Sequence, residues 1–324
     1  MTSYNLFNGT FKDKSIFVTG HTGFIGSWLT EWLCELDANV IGYSLEPATV
    51  PSLFDTLELG KKITHIIGDI NDSENLNNAI EKHSPEIIFH LAAQPLVKTS
   101  YSAPRETIQT NVMGTVNLLE STRDASSVKI CVAITSDKCY QNRELSYAYK
   151  ETDPMGGYDP YSASKGATEL IISSYRNSFF NTQYFEAGTS LSTSRTGNVI
   201  GGGDFAKSRI LPDIIKNYKN KKIILRNPNS IRPWQHIFDV ATAYLFIPVF
   251  HYRNSKKYSG PYNVGPNNKS FLNVKNLTKL FTKFLNVKYE IYYKKGKFIE
   301  SKYLFLNSSK IKKQLHWKPL YSIN

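Results

Sequence analysis

The chain has 324 residues, 41% hydrophobic and 20% charged, which suits one large two-lobed unit or two modest domains of a soluble globular protein. No apolar run approaches the roughly 20 residues a bilayer crossing needs, and the opening "MTSYNLFNGTFKDKS" has no secretory signal's apolar segment. A net charge of +12 gathers in "KNYKNKK", "YRNSKK" and "YYKKGK" without any zinc, RNP-type or basic-helix pattern, so neither nucleic acid nor membrane is an expected partner. These runs read as a lysine- and asparagine-rich surface, whose positive field would also attract an anionic substrate.

"KSIFVTG" (14–20) reads as a buried strand, followed by an amphipathic segment, "FIGSWLTEWLCEL". Strand-length apolar runs follow at "NVIGY" (39–43), "THIIGD" (64–69), "EIIFHLA" (86–92) and "KICVAIT" (129–135), with helical spacing between them, as in "TNVMGTVNLLESTRDA" (110–125). Strand and helix alternating in this way predict a Rossmann-type doubly wound parallel sheet over about 9–188, with ligands at the carboxyl ends of its strands. After residue 189 the pattern loosens. "TSLSTSRTGNVIGGGDF" is a polar strand entering a glycine-rich loop, "RNPNSIRPWQHIF" is irregular, and helical patterns return at 238–250 and 272–285 before a strand, "VKYEIYY". We expect 189–324 to form mainly a smaller mixed α/β substrate-binding lobe, with some segments returning to the first domain. Cys34, Cys131 and Cys139 show no disulfide or metal spacing, so buried thiols, no metal and a cytoplasmic location are expected.

"TGHTGFIG" joins the first strand to the first helix and spaces Gly20, Gly23 and Gly26 for a tight turn, approach to a pyrophosphate and helix packing. The N–H groups of Phe24, Ile25 and Gly26 would then face the phosphates. The cofactor could be NAD or NADP: the second strand ends in "IGYSLEP", with Ser44 where NAD's ribose usually meets an acid and no base for a 2′-phosphate. Asp69 and Ile70 could line the adenine pocket, Asp69 equally a turn or cap. Tyr161 and Lys165 in "DPYSASKGATEL" lie four apart on one helical face, where an ammonium can stabilise a phenolate.

The chain resembles the extended short-chain dehydrogenase/reductase superfamily, including "HLAAQ" after the fourth strand. Within it, "HLAAQPLVKTSY", "TNVMGTVNLLE", "TSDKCYQN", "DPMGGYDPYSASKGATEL", "GNVIGGGDF" and "RPWQHIFD" are similar to CDP-glucose 4,6-dehydratases, over about residues 9–318. The resemblance implies a homodimer or homotetramer that makes CDP-4-keto-6-deoxyglucose for bacterial surface polysaccharide. It implies C4 oxidation through Tyr161, loss of water across C5 and C6, and return of the hydride to C6. It assigns Ser136 to the C4 oxygen, Asp137 as acid and Lys138 as base, places Leu91, Ala92 and Ala93 beside the cofactor, and gives Gln94, Asn198 and Arg232 to the substrate; Arg209 in "KSRILPD" reads as a second substrate-binding arginine or a surface charge.

Physical reasoning leaves Lys138 two roles, base or fixed positive charge, because a neutral lysine at pH 7 costs about 4.6 kcal/mol from a reference near 10.4. Trp234 and His236 read as base pocket or core, with core favoured for the tryptophan. Phe205 replaces a tryptophan usual in the resembled enzymes, the segment before Glu300 lacks their histidine, and the chain ends at "HWKPLYSIN", short of their terminal helical segment. A 4-epimerase would share Tyr161 and Lys165 but has no need of Asp137 and Lys138. A catalytically silent NAD-binding scaffold would need none of the five.

Overall fold

The computed structural model describes residues 7–180, 188–217, 222–267, 270–286, 289–293 and 301–323. Seven strands form one parallel sheet: β1 (Ser15–Thr19), β2 (Asn39–Ser44), β3 (Thr64–Ile67), β4 (Ile87–His90), β5 (Ile130–Ser136), β6 (Ser190–Thr196) and β7 (Gly260–Val264). Their order is β7-β6-β5-β4-β1-β2-β3. The winding reverses between β1 and β4, and the crevice above that point is where such a sheet binds its ligand.

β1, β4 and β5 are buried on both faces, as continuous apolar runs such as Ile16–Phe17–Val18 require. One face packs on α1 (Phe24–Glu35) and α6 (Ile237–Arg253), and Trp317 closes the same layer. The other packs on α2 (Ser73–His83), α3 (Gly114–Asp124) and α4 (Pro160–Ser178) through Leu76, Ile80, Leu118, Leu119 and Ile172. α6 is sealed between the sheet and α1, hence its nearly unbroken apolar sequence. Among the described residues no helix is long and apolar enough to cross a membrane.

The smaller lobe contains α5 (Ile210–Lys216), α7 (Val274–Phe284) and two short strand pairs. Lys222–Leu225 pairs in parallel with Glu290–Tyr293, and Ile231–Pro233 pairs antiparallel with Phe271–Asn273. "SIRPW", irregular by sequence, thus carries a short strand. The lobe has its own apolar cluster around Ile214, Ile223 and Leu225. β6 and β7 extend the main sheet although both follow residue 188, so the chain crosses between the two parts more than once.

Candidate active site

A cavity of about 1000 Å³ lies over the carboxyl ends of the sheet strands and continues between the sheet and the smaller lobe. Gly20, Gly23, Phe24, Ile25, Gly26, Asp69, Ile70, Leu91, Ala92 and Ala93 all line it. The turn after β1 depends on two glycines. Gly20 has a φ of +74°, and a Cβ there would sit 2.7 Å from the Ala92 nitrogen. A Cβ on Gly26 would sit 2.1 Å from the Gly20 oxygen. Gly23 caps α1 with no side chain over the helix end and no acid in the first turn. The first N–H groups of α1 therefore face the cavity without an internal acceptor, a cradle that fits a dinucleotide pyrophosphate.

At the end of β2 the Ser44 hydroxyl lies 2.8 Å from the Thr22 hydroxyl, and Thr22 donates to the Leu45 carbonyl at 2.9 Å. Glu46 is exposed on the cavity wall. Asp69 holds a turn by accepting from the Asn71 N–H at 2.9 Å and also lines the cavity.

The reacting wall comes from β5 and α4. Asp159 caps α4 by accepting from the Ser162 N–H at 2.9 Å, and Pro160 opens its first turn, which fixes where Tyr161 and Lys165 emerge. Both are buried and both line the cavity with Ser136, Asp137 and Lys138. Ser136 ends β5, accepts from the Lys138 N–H at 3.2 Å and donates to Asp137 Oδ1 at 3.2 Å. Asp137 Oδ2 is buried with no hydrogen-bond partner among the described residues. Burial pushes the Asp137 carboxyl up to about 6, against the opposing charges of Lys138 and Arg232. Burial brings Lys165 down to about 8, with Glu169 acting the other way. In the protein alone, burial also pushes Tyr161 up to about 12, outweighing its hydrogen bond with Ser136 and the Arg209 charge. The resting phenol is therefore neutral, and the lowering expected from a nearby ammonium does not prevail.

Groups the sequence did not single out support this wall. Glu169 lies one turn beyond Lys165 on α4. It accepts from Thr135, from Thr193 at 3.1 Å and from Arg195 at 2.7 Å. Arg195 also donates to the Tyr140 hydroxyl at 2.8 Å. Burial raises the Glu169 carboxyl, but Arg195 and Thr135 bring it below its ordinary range. Asn111, in a wide π-type turn at Gln109–Met113, donates to the Ser164 hydroxyl at 2.9 Å and accepts from the Gln94 N–H at 2.8 Å. One signal was available: "SLSTSRT" is too polar to be buried unless each polar group has a partner.

On the substrate side, Asn198, Arg209 and Arg232 line the cavity and Gln94 does not. The Gln94 amide donates to Thr107 at 2.9 Å and its oxygen accepts from the Leu96 N–H at 2.6 Å, so the side chain braces its own loop. Arg232 is buried beside the charge of Asp137, and Arg209 pairs with Asp204 at 2.9 Å. Trp234 is buried core and cavity wall at once, donating to the Leu272 carbonyl at 2.9 Å. His236 caps α6 and stacks on Tyr321 at 4.4 Å. Glu300 lies outside the described residues. Among the described residues there is no cluster of three or more His, Cys, Asp or Glu fit for a metal ion.

Comparison with known proteins follows this geometry. The family model described as GDP-mannose 4,6 dehydratase matches residues 17–324. The CDP-glucose 4,6-dehydratase of Salmonella typhimurium is 47% identical over 315 residues, 96% of this chain and 88% of that protein. A probable dTDP-glucose 4,6-dehydratase of Sinorhizobium fredii is 28% identical, over 78% of this chain and 72% of that protein. Among solved structures, the dTDP-glucose 4,6-dehydratase of Streptomyces venezuelae with NAD and TYD bound superposes with a TM-score of 0.82 at 21% identity, covering 95% of this chain and 92% of that one. The Thermotoga maritima UDP-glucose 4-epimerase with UDP-glucose also gives 0.82, at 23% identity, covering 95% and 94%. That pair shows the fold, which dehydratases and epimerases share, while the sequence match and the family model separate them. The chain belongs to the nucleotide-sugar 4,6-dehydratases of the extended short-chain dehydrogenase/reductase superfamily.

Proposed function

We propose that the enzyme takes CDP-glucose with NAD as its resident cofactor and releases CDP-4-keto-6-deoxyglucose. The substrate follows the relative at 47% identity, and the cofactor fits the cradle at Gly20, Gly23 and Gly26. Bound NAD+ would supply the hydride acceptor for C4 and return that hydride to C6.

The protein's own groups manage the protons. Tyr161, a neutral phenol in the protein alone, would become the phenolate that takes the C4 hydroxyl proton once the positive charge of a bound NAD+ adds to that of the Lys165 ammonium, with Ser136 polarising the C4 oxygen. The C4 ketone acidifies the C5 hydrogen. Lys138 takes that proton, Asp137 gives one to the departing C6 hydroxyl, and water leaves. A proton returned to C5 completes the balance as C6 becomes a methyl group. Arg232 and Arg209 would hold the diphosphate, which guanidinium groups suit through paired hydrogen bonds.

Asp137 carries this reading. A buried carboxyl pushed to about 6, with one oxygen lacking a partner, is equipped to hold and deliver a proton near neutrality. An epimerase has no use for it. The test is incubation with CDP-glucose deuterated at C4, followed by mass analysis. A product lighter by one water and carrying deuterium at C6 is expected; unchanged mass with inverted C4 overturns the reading. Lys138→Ala should still oxidise C4 but fail to eliminate, and full dehydration by that variant would remove Lys138 from the base role.

A further inference from the structure

A nucleoside diphosphate sugar is an anion, so a carboxylate in its binding site needs a hydrogen-bond donor to face. The wall built from the loop before α5, α5 itself, the strand Lys222–Leu225 and the start of α7 holds two such carboxylates, Asp204 in the loop and Asp213 on α5. Asp204 is committed internally: it accepts from the Ala206 N–H at 3.1 Å and pairs with Arg209. Asp213 is half-buried and lines the cavity, as do Leu211, Leu225 and Val274, which belong to one apolar cluster suited to a flat ring. Its position is braced through Ser208, which is held at a φ of +66°. The Ser208 N–H donates to the Asp213 carboxylate, while its carbonyl accepts from Arg226 at 3.2 Å. A carboxylate has about four acceptor sites, so Asp213 keeps capacity toward the cavity. Burial raises its carboxyl, with the Ser208 N–H and the charges of Arg226, Lys216 and Lys98 opposing, as for an acceptor partly withdrawn from water.

The ligand's donors are the hexose hydroxyls, the ribose hydroxyls and any amine on the base. Under the reading above the hexose lies at Asp137 and Tyr161, which leaves ribose and base for this wall. The apolar side chains of Leu211, Leu225 and Val274 on the same cavity lining favour the base. We propose that Asp213 selects cytosine, accepting a hydrogen bond from its exocyclic amine. Uracil and thymine place a carbonyl oxygen at that position, where it would meet the carboxylate lone pair to lone pair. The assignment rests on the CDP-glucose reading.

The test compares kcat/KM for CDP-glucose and UDP-glucose in the NAD-loaded enzyme and in Asp213→Asn, whose amide keeps the shape and can turn a donor toward uracil. The CDP-over-UDP preference should fall on the order of 10²-fold, the scale of one hydrogen bond to a charged group plus the lost rejection of the wrong base. An unchanged ratio, with both substrates weakened alike, would assign Asp213 to the ribose and overturn the proposal. A second arm needs no variant. In competition with CDP-glucose on the wild-type enzyme, UDP should bind far more weakly than CDP, and 2′-deoxy-CDP nearly as well as CDP. The reverse order overturns the proposal. Wild-type enzyme that does not dehydrate CDP-glucose would defeat the substrate reading itself, an outcome separate from either of these.

Discussion

Asp137 and Glu169 are both buried carboxylates, Asp137 beside the charge of Lys138 and Glu169 beside that of Lys165, and they are treated in opposite ways. Glu169 has Thr135, Thr193 and the Arg195 guanidinium around it, and its carboxyl sits below the ordinary range. Asp137 has one weak hydrogen bond from Ser136 and an oxygen with none, and burial holds it up near 6. A satisfied buried charge fixes structure, whereas an under-satisfied one keeps a proton available. Neighbouring elements thus divide the work: α4 and β6 hold a satisfied ion pair, and the turn after β5 holds the under-satisfied carboxyl.

Breaking the reactive member should have the largest effect. Asp137→Asn should slow elimination roughly 10²–10⁴-fold, the range for loss of a general acid, read as C4 oxidation without water release in a single-turnover assay. The same variant should alter stability in a pH-dependent way. The folded protein keeps the Asp137 proton between the ordinary carboxyl value of 3.8 and about 6, where the unfolded chain releases it. Wild-type stability therefore falls as pH rises through that window, and the penalty is complete above about 6. Urea titrations at several pH values should show the variant gaining on the wild type from pH 4 to 6 and holding that gain above it.

Breaking the satisfied member should unfold rather than disarm. Arg195→Met leaves Glu169 buried without its cation and should lower stability by about 3–5 kcal/mol, measured by denaturant midpoint. Thr135→Val removes one donor to Glu169 and should cost about 1–3 kcal/mol while leaving the elimination chemistry in place. The smallest effect sharpens the comparison. The Ser194 hydroxyl is buried in β6 with no partner among the described residues, so Ser194→Ala should shift stability by no more than about 0.5 kcal/mol. A large loss there would mean that β6 depends on every polar group it carries.

β1, β4 and β5 were legible in the sequence because burial on both faces leaves an uninterrupted apolar run, β2 and the exposed edge strand β3 because each still keeps a short apolar run, and the glycine turn because backbone crowding permits nothing larger at Gly20 and Gly26. Tyr161 and Lys165 were legible because helical spacing is local. β6 was readable as a strand, but not the fact that "SLSTSRT" is wholly buried. Arg195 meets Glu169 across 26 positions and Thr135 meets it across 34, pairings that no short window contains. Gln94 misled for a related reason. Its place after β4 points to the cavity, but whether the side chain enters depends on Thr107 and the Leu96 N–H. Asp213 carried no pattern at all, since one acid in "RILPDII" gains meaning only from the wall around it.

The return of the chain to the main sheet has a consequence for how this enzyme can be divided. A fragment cut after residue 188 would keep Lys165 and Glu169 but lose β6 and β7, and with them Arg195 and the hydroxyl of Thr193. Its glutamate would face an open sheet edge with the charge of Arg176 but without the paired Arg195 guanidinium. The cofactor half is therefore not a cassette to be moved between sugar-binding partners, because the residues that hold its acid in place are encoded downstream.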